Sequence, residues 1–177
     1  MRFIELGTPR LRLRAFEPGD FNAVFAYMSD AETMKYRRYG PRSAEQVRDF
    51  LAYAISSAGE MPCRNFEYAA VLKGCDALIG GGALFHCDDG PELGWTLRRD
   101  HWRQGLGHEM GEALLRLGFG ALALPSIQAT CHMENIASYR LMEKLGLRRE
   151  MPLPEAYGGA GGLRYAIDHE SWLRSNP

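Results

Sequence analysis

At 177 residues the chain is long enough for one domain that buries about 70% of the surface its unfolded form exposes. A formal net charge of −1 and a sequence pI near 6.5 exclude any general electrostatic pull toward nucleic acid or anionic membrane. No apolar run approaches the roughly 18 residues of a membrane span, and the start M-R-F-I-E-L-G-T lacks a signal peptide's apolar block, so a cytoplasmic location is expected.

Residues Pro9–Phe16 alternate apolar and basic, the period-2 signature of a half-buried strand. Pro18-Gly19-Asp20 breaks it and places an N-cap at Asp20 for a short helix with Phe21, Val24, Phe25 and Met28 on one stripe. Periodicity is lost over Ser29–Arg42, which reads as a loop or broken helix. Ser43 and Gln46 form a capping-box pattern that opens a second helix, its face made by Val47, Phe50, Leu51 and Ala54. Phe66–Leu72 and Ala77–Phe85 read as strands joined by a turn at Lys73-Gly74-Cys75-Asp76. Within the second, Gly80-Gly81-Gly82 suggests a bulge or a close backbone approach. It is no phosphate loop of the nucleoside-triphosphatase type, because no Lys-Ser/Thr follows.

Glu92–Leu97 is the next strand, and it feeds a short basic turn with glycines at Gly105 and Gly107. The amphipathic helix after it is expected from Gly105 to Ala121, burying Met110, Ala113, Leu114, Leu117 and Ala121. A glycine turn delivered onto a helix N-terminus makes a ready anion site. Unpaired N–H groups point outward there, the helix dipole favours negative charge by roughly 0.3–1 kcal/mol, and glycine lets a phosphate approach closely. Ile127–Cys131 is a short strand, Ile136–Leu145 a helix stopped by Gly146, and Leu147–Met151 and Leu163–Asp168 the last two strands. Pro152–Gly162, rich in Pro and Gly, is expected to be a mobile loop between them. The strand–helix–strand through Gly105 allows one parallel crossover beside otherwise antiparallel strands. Cys63, Cys75, Cys87 and Cys131 have no CxxC pairing and no nearby histidine pair, so reduced, partly buried thiols and no metal are expected.

The order of elements and its motifs resemble the GNAT superfamily of acyl-CoA-dependent N-acetyltransferases, in particular the branch of ribosomal-protein N-terminal acetyltransferases of the RimJ/RimL type. Trp102-Arg103-Gln104-Gly105-Leu106-Gly107 lines up with that family's R/Q-x-x-G-x-G/A motif. Thr8–Arg14 resembles the branch's first strand, Asn135-Ile136-Ala137-Ser138 … Lys144-Leu145-Gly146 its second block, and Tyr165–Trp172 its terminal strand. Three positions depart from the pattern: Trp102 replaces Arg or Gln, Leu147 replaces a phenylalanine, and Met142 replaces a tyrosine proposed as general acid.

The resemblance implies one α/β domain over residues 1–177, with a mixed, mostly antiparallel sheet of six to seven strands flanked by about four helices. It implies acetyl-CoA as co-substrate, no metal, no nucleic acid or membrane partner, and direct attack of a primary amine on the thioester. The acceptor would be a peptide N-terminus or a small-molecule amine, and a homodimer is compatible with the reading. The pyrophosphate would rest on the amides of Arg103, Gln104, Gly105, Leu106, Gly107 and His108. With binding placed on those amides, Trp102 stands in the motif without supplying its usual side chain. The pantetheine arm would run along Trp95-Thr96-Leu97, a bulge near Gly94 would aim an N–H at the thioester oxygen, and Asn135 would hold the arm from the other side or simply cap its helix. Ser138, one turn before Met142 on the same helical face, inherits the role at the CoA sulfur. Glu92 is the candidate base, with Glu67 and His86 as weaker alternatives. Tyr36, Arg37, Arg38, Tyr39 and Tyr157 would shape the acceptor pocket. A non-catalytic acyl-CoA sensor and an enzyme of another phosphate ligand are the competing readings.

Overall fold

A computed structural model describes residues 2–153 and 161–175. The chain runs β1 (Leu6–Gly7), β2 (Leu11–Arg14), α1 (Phe21–Met28), α2 (Ala31–Met34), α3 (Ala44–Gly59), β3 (Phe66–Leu72), β4 (Ala77–Cys87) and β5 (Gly90–Leu97). It continues through α4 (Leu106–Arg116), β6 (Ser126–His132), α5 (Ile136–Lys144), β7 (Arg148–Leu153), β8 (Gly162–Asp168) and α6 (His169–Ser175). The strands form one eight-stranded sheet in the order β1-β2-β3-β4-β5-β6-β8-β7. Only β5 and β6 pair in parallel, as the crossover through α4 requires. The mixed, mostly antiparallel sheet is the expected one, with an extra strand in β1, whose two residues are too short to carry a periodic signal. Helices exceed the expected four because α2 is a single turn and α6 is a short terminal segment.

Each face of the sheet is covered. On one, Met110 and Leu114 of α4 lie against Gly82 of β4, in a core that includes Leu84, Leu93, Ile127 and Ala129. On the other, α1 and α3 press Val24, Tyr27, Val47, Leu51 and Ala54 onto Ala69, Val71 and Leu78. Burying each large apolar side chain of this kind is worth about 1.5–3 kcal/mol.

Local chemistry sets the ends of these elements. At α3 the Ser43 hydroxyl accepts from the Gln46 amide (3.2 Å) and the Gln46 side chain accepts from the Ser43 amide (2.9 Å), which is the expected capping box. Asp20 does stand at the N-cap of α1, but its carboxylate does not cap. It pairs instead with the buried Arg14 guanidinium through two bonds of 2.8 and 2.7 Å, and accepts from the Glu17 amide. The basic alternation of β2 therefore breaks at Arg14, which points inward because an acid meets it there. Gly146, at φ +87°, closes α5: its amide reaches the Glu143 carbonyl (3.0 Å) and the Leu147 amide the Met142 carbonyl (3.0 Å).

One further expectation needs correction. The helix after Gly105 is regular only to Arg116, and Leu117–Ala121 continues as a wider π turn. That turn keeps Leu117 and Phe119 buried but carries Ala121 out to solvent. Of the four cysteines, Cys63 and Cys131 are buried and Cys75 and Cys87 exposed, all with free thiols. Among the described residues no helix is long and apolar enough to cross a membrane. Most of the expected Pro152–Gly162 loop lies outside the described residues.

Candidate active site

The parallel pair β5–β6 holds register only at Glu92↔Gln128 and Leu93↔Ala129. Beyond Leu93 the ladder stops, although β5 runs on to Leu97 and β6 to His132. The strands part and leave a cleft between them. Backbone groups alternate along a strand, so only every second residue of β5 offers its N–H and C=O to that cleft. A Cβ at Gly80 would collide with the Thr96 carbonyl, so Thr96 faces β4 and Gly94 with it. Trp95 and Leu97 are the residues that face the cleft. Their carbonyls are already engaged: Arg37 donates to Trp95 O and to the Thr96 hydroxyl, and the Trp102 indole N–H donates to Leu97 O at 2.7 Å. The expected bulge near Gly94 is absent, because β4 and β5 pair without a shift from Gly80↔Leu97 to Cys87↔Gly90. The bulge lies one strand away, between Ala70 and Val71, where β4 passes from Gly80 to Leu78. The donor at the mouth of the cleft is thus the Trp95 amide.

At the far end of β5 stands the glycine turn. Gly105 is the N-cap of α4 with φ +78°, and no side chain caps it, so the first-turn amides at Leu106, Gly107 and His108 point out of the helix. Arg103 also takes a left-handed conformation, at φ +58°. Gly107 serves packing as well as access: a Cβ there would stand 3.2 Å from Leu141 of α5, and one at Gly111 would stand 2.5 Å from Leu145. The turn is fixed from below by Arg10. Its guanidinium donates to the Gln104 carbonyl (2.9 Å) and to Glu109 (2.7 Å), while the Arg10 amide and the Thr8 hydroxyl donate to the same Glu109 carboxylate. Burial works to raise that carboxyl, but these bonds outweigh it and hold Glu109 below the ordinary carboxylate range. Gln104 itself donates to the Asp100 carbonyl (3.0 Å), and His108 lies 3.5 Å from Glu112.

Across the cleft, Asn135 is the N-cap of α5, its side chain accepting from the Ser138 amide at 3.2 Å. Ser138 sits one turn in and is partly exposed. Its neighbour is the buried Cys131 thiol of β6, which burial pushes up to about 11 against a hydrogen bond from the Ser138 side chain. Cys131 is therefore a neutral thiol at physiological pH. Met142 is buried in the core and does not reach the cleft.

The chain after α2 roofs the opening. Arg37 is tied to β5 as described, while the Tyr36 ring packs on His132 at the end of β6, centroids 5.2 Å apart. Two consecutive residues thus span both lips. Tyr39 is more peripheral, 73% exposed with the Arg42 guanidinium 5.4 Å over its ring. Tyr157 lies outside the described residues. Glu92 stands where β5 and β6 are still joined. Its carboxylate accepts from the Thr130 hydroxyl (2.7 Å) and lies 3.9 Å from the Cys87 thiol. His86 is turned away, its ring against the Arg64 carbonyl at 2.9 Å. Among the described residues no cluster of His, Cys, Asp or Glu is placed to hold a metal.

An open parallel pair thus stands beside an uncapped helix N-terminus. Residues 10–148 match the family described as Acetyltransferase (GNAT) domain. The chain belongs to the GNAT acetyltransferases. This GNAT enzyme is 32% identical over 175 residues to the uncharacterized N-acetyltransferase YnaD of Bacillus subtilis (strain 168), covering 96% of this chain and 99% of that one. It superposes with a TM-score of 0.81 and 32% identity on a GNAT-family acetyltransferase from Bacillus anthracis, covering 94% of this chain and 99% of that chain. RimL, the ribosomal L7/L12 alpha-N-protein acetyltransferase solved with coenzyme A bound as a disulfide to one of its cysteines, shares the fold. Its TM-score is 0.80 at 15% identity, covering 95% of this chain and 99% of RimL. The family's donor is acetyl-CoA.

Sequence reasoning missed two residues that hold the turn at Gly105. Arg10 reads only as one basic residue of an alternating strand, with nothing local to mark it as the support of the glycine turn. Glu109 did leave a signal: it falls three residues after Leu106, on the apolar stripe, where an unpaired acid would be costly.

Proposed function

We propose that the cleft binds acetyl-CoA as an added strand between β5 and β6 and transfers its acetyl group to a primary amine, on a peptide N-terminus or a small molecule. The observation that carries this reading is the ladder ending at Leu93↔Ala129 beside the uncapped first turn of α4. A pyrophosphate on the amides from Arg103 to His108 places the pantetheine arm alongside Trp95 and Leu97, where it pairs through main-chain bonds as a β-strand would. The carbonyls taken by Arg37 and Trp102 leave the amides of Trp95 and Leu97 as the donors to that arm, and the Trp95 N–H as the one nearest the thioester oxygen. An amide aimed at a developing oxyanion contributes about 2.7–4 kcal/mol where such donors have been removed in other enzymes. Asn135 orders the start of α5 and thereby the position of Ser138, whose hydroxyl meets the CoA sulfur as the thiolate leaves.

The amine comes from the opposite face, under Tyr36 and Arg37. Its proton goes to a carboxylate on that face, where Glu92 and Glu67 are the groups available. Holding amine and thioester together supplies a large part of the rate, since effective molarities reach about 10⁵–10⁸ M. The test is free-thiol release from acetyl-CoA across N-terminal peptides, polyamines, aminoglycosides and free amino acids. Release that depends on one class of acceptor is the expected result. Tight acetyl-CoA binding with no release for any class would favour a sensor over an enzyme.

A further inference from the structure

Glu67 of β3 has no hydrogen-bond partner among the described residues, yet it stands on the face from which the acceptor approaches. It lies opposite Ala83, and Ala83 lies opposite Gly94, so these three share one side of the sheet. Between Glu67 and the strand that borders the cleft stands the methyl of Ala83, and the edge of the Phe85 ring walls the Gly94 end, 3.4 Å from where a Cβ of Gly94 would be. Phe85 and Glu92 form the neighbouring row on one flank. On the other are Gly81 and Thr96, with Phe16 and Tyr27 covering Gly81 at 3.1 and 3.4 Å from where its Cβ would be. The row is a trench of small residues leading from Gly94 to a carboxylate. Its length is two strand spacings, about 10 Å between backbones. The Glu67 side chain covers part of that, and an amine, or an amine and one water, covers the rest.

The groups that face Glu67 are few. From α1 comes the Tyr27 hydroxyl, which burial keeps protonated. From the chain before α3 come Arg37 and Arg42, whose charges act on Glu67 directly. Arg37 is anchored over Trp95 and Thr96, at the cleft end of the trench. Arg42 has a buried Nε without a hydrogen-bond partner. The neighbouring face of α3 is apolar at Val47 and Leu51. Burial raises the Glu67 carboxyl to about 7, against the two arginines that pull it down. A base in that range is matched to removing a proton at neutral pH. Glu92 differs in its surroundings: it accepts from Thr130, and it stands where the strands have not yet parted.

We propose that Glu67 is the general base of the transfer, taking the proton of the acceptor ammonium across the trench. The inference rests on the acetyl-transfer reading of the cleft. In the first step R–NH3+ gives a proton to the Glu67 carboxylate. The freed amine forms its C–N bond to the acetyl carbon as the C–S bond breaks. The second nitrogen proton passes to the departing thiolate, giving CoA–SH and the N-acetyl product, and Glu67 returns its proton to solvent.

The test is the pH dependence of kcat/KM for wild type, Glu67→Gln, Glu67→Asp and Glu92→Gln, using the most active member of the acceptor panel above. Wild type is expected to lose activity as pH falls through about 7. Glu67→Gln should lower kcat/KM by about 10²–10⁴-fold above that pH and abolish this limb, while calorimetric binding of acetyl-CoA stays unchanged. Glu67→Asp should restore the limb at reduced rate, and Glu92→Gln should keep it. A limb that persists in Glu67→Gln, or that vanishes only in Glu92→Gln, overturns the assignment. Failure of wild type to bind acetyl-CoA would instead remove the reading beneath it, and the proposal with it.

Discussion

Ser138 and Cys131 show how much a residue's meaning depends on its neighbour. Read in sequence, Ser138 is a first-turn serine after an N-cap; in the fold it borders the cleft and a thiol that stays protonated. A hydroxyl is a weak acid, so the part proposed for it is to orient and hydrogen-bond the leaving sulfur. Ser138→Ala should therefore lower kcat by about tenfold, a loss of roughly one charge-assisted hydrogen bond, with acetyl-CoA affinity unchanged. Steady-state thiol release paired with calorimetry checks this, and an unaltered kcat would discard the role. At this scale legibility followed locality. Asn135 was readable as a cap because the partner amide lies three residues on. Asp20 was misread because its partner, Arg14, lies on a preceding strand and competes for the same carboxylate.

Among elements, β4 determines how closely the cleft wall is held. Its three glycines looked awkward for a strand, and the structure gives each a separate reason. Gly80 lets the Thr96 carbonyl and the Leu97 backbone come in, Gly81 sits under Phe16 and Tyr27, and Gly82 receives Met110 and Leu114. Both readings of the run held: there is a close approach at Gly80, and a bulge beside it at Leu78 and Ile79. Gly80→Ala presses on backbone and not on a flexible side chain, so β5 must shift where it lines the cleft. We expect a loss of about 1–3 kcal/mol of stability, measured by urea denaturation at unchanged m, together with weaker acetyl-CoA binding. Stability equal to wild type would mean that β5 yields freely. The π turn after α4 was not legible. Leu117 and Ala121 fit one helical stripe equally well in sequence, while Phe119 falls off it; the wider turn brings Phe119 inside, against His169 and Trp172 of α6.

For the molecule as a whole, the donor has a thermodynamic signature. A ligand that binds only the folded form adds about 2.7 kcal/mol at a hundred times its Kd. In a chain of this size that raises Tm by roughly 5–10 °C. Acetyl-CoA and CoA should produce such a shift, and ATP and NAD at the same concentration should not. A larger shift with either nucleotide would point to a different phosphate ligand at Gly105. The architecture was legible because its motifs stand in order along nearly the whole chain, so each weak pattern supported the next. The roof was not. Nothing in either segment announces that Tyr36 meets His132, or that Arg37 reaches β5, because such contacts belong to no periodicity and join parts of the chain far apart in sequence.

The short register between β5 and β6 has a mechanical side. Two backbone residue pairs, the α4 crossover with its packing on α5, the Thr130–Glu92 hydrogen bond and the tilted Tyr36–His132 rings are among the links between the β1–β5 panel and the β6–β8–β7 panel. A donor lying along that seam would stitch the panels together while it stays, and its departure as CoA would leave them free to flex again. Each turnover would then stiffen and relax the open stretch of the seam beyond Leu93, so that releasing product and loosening the cleft become one event.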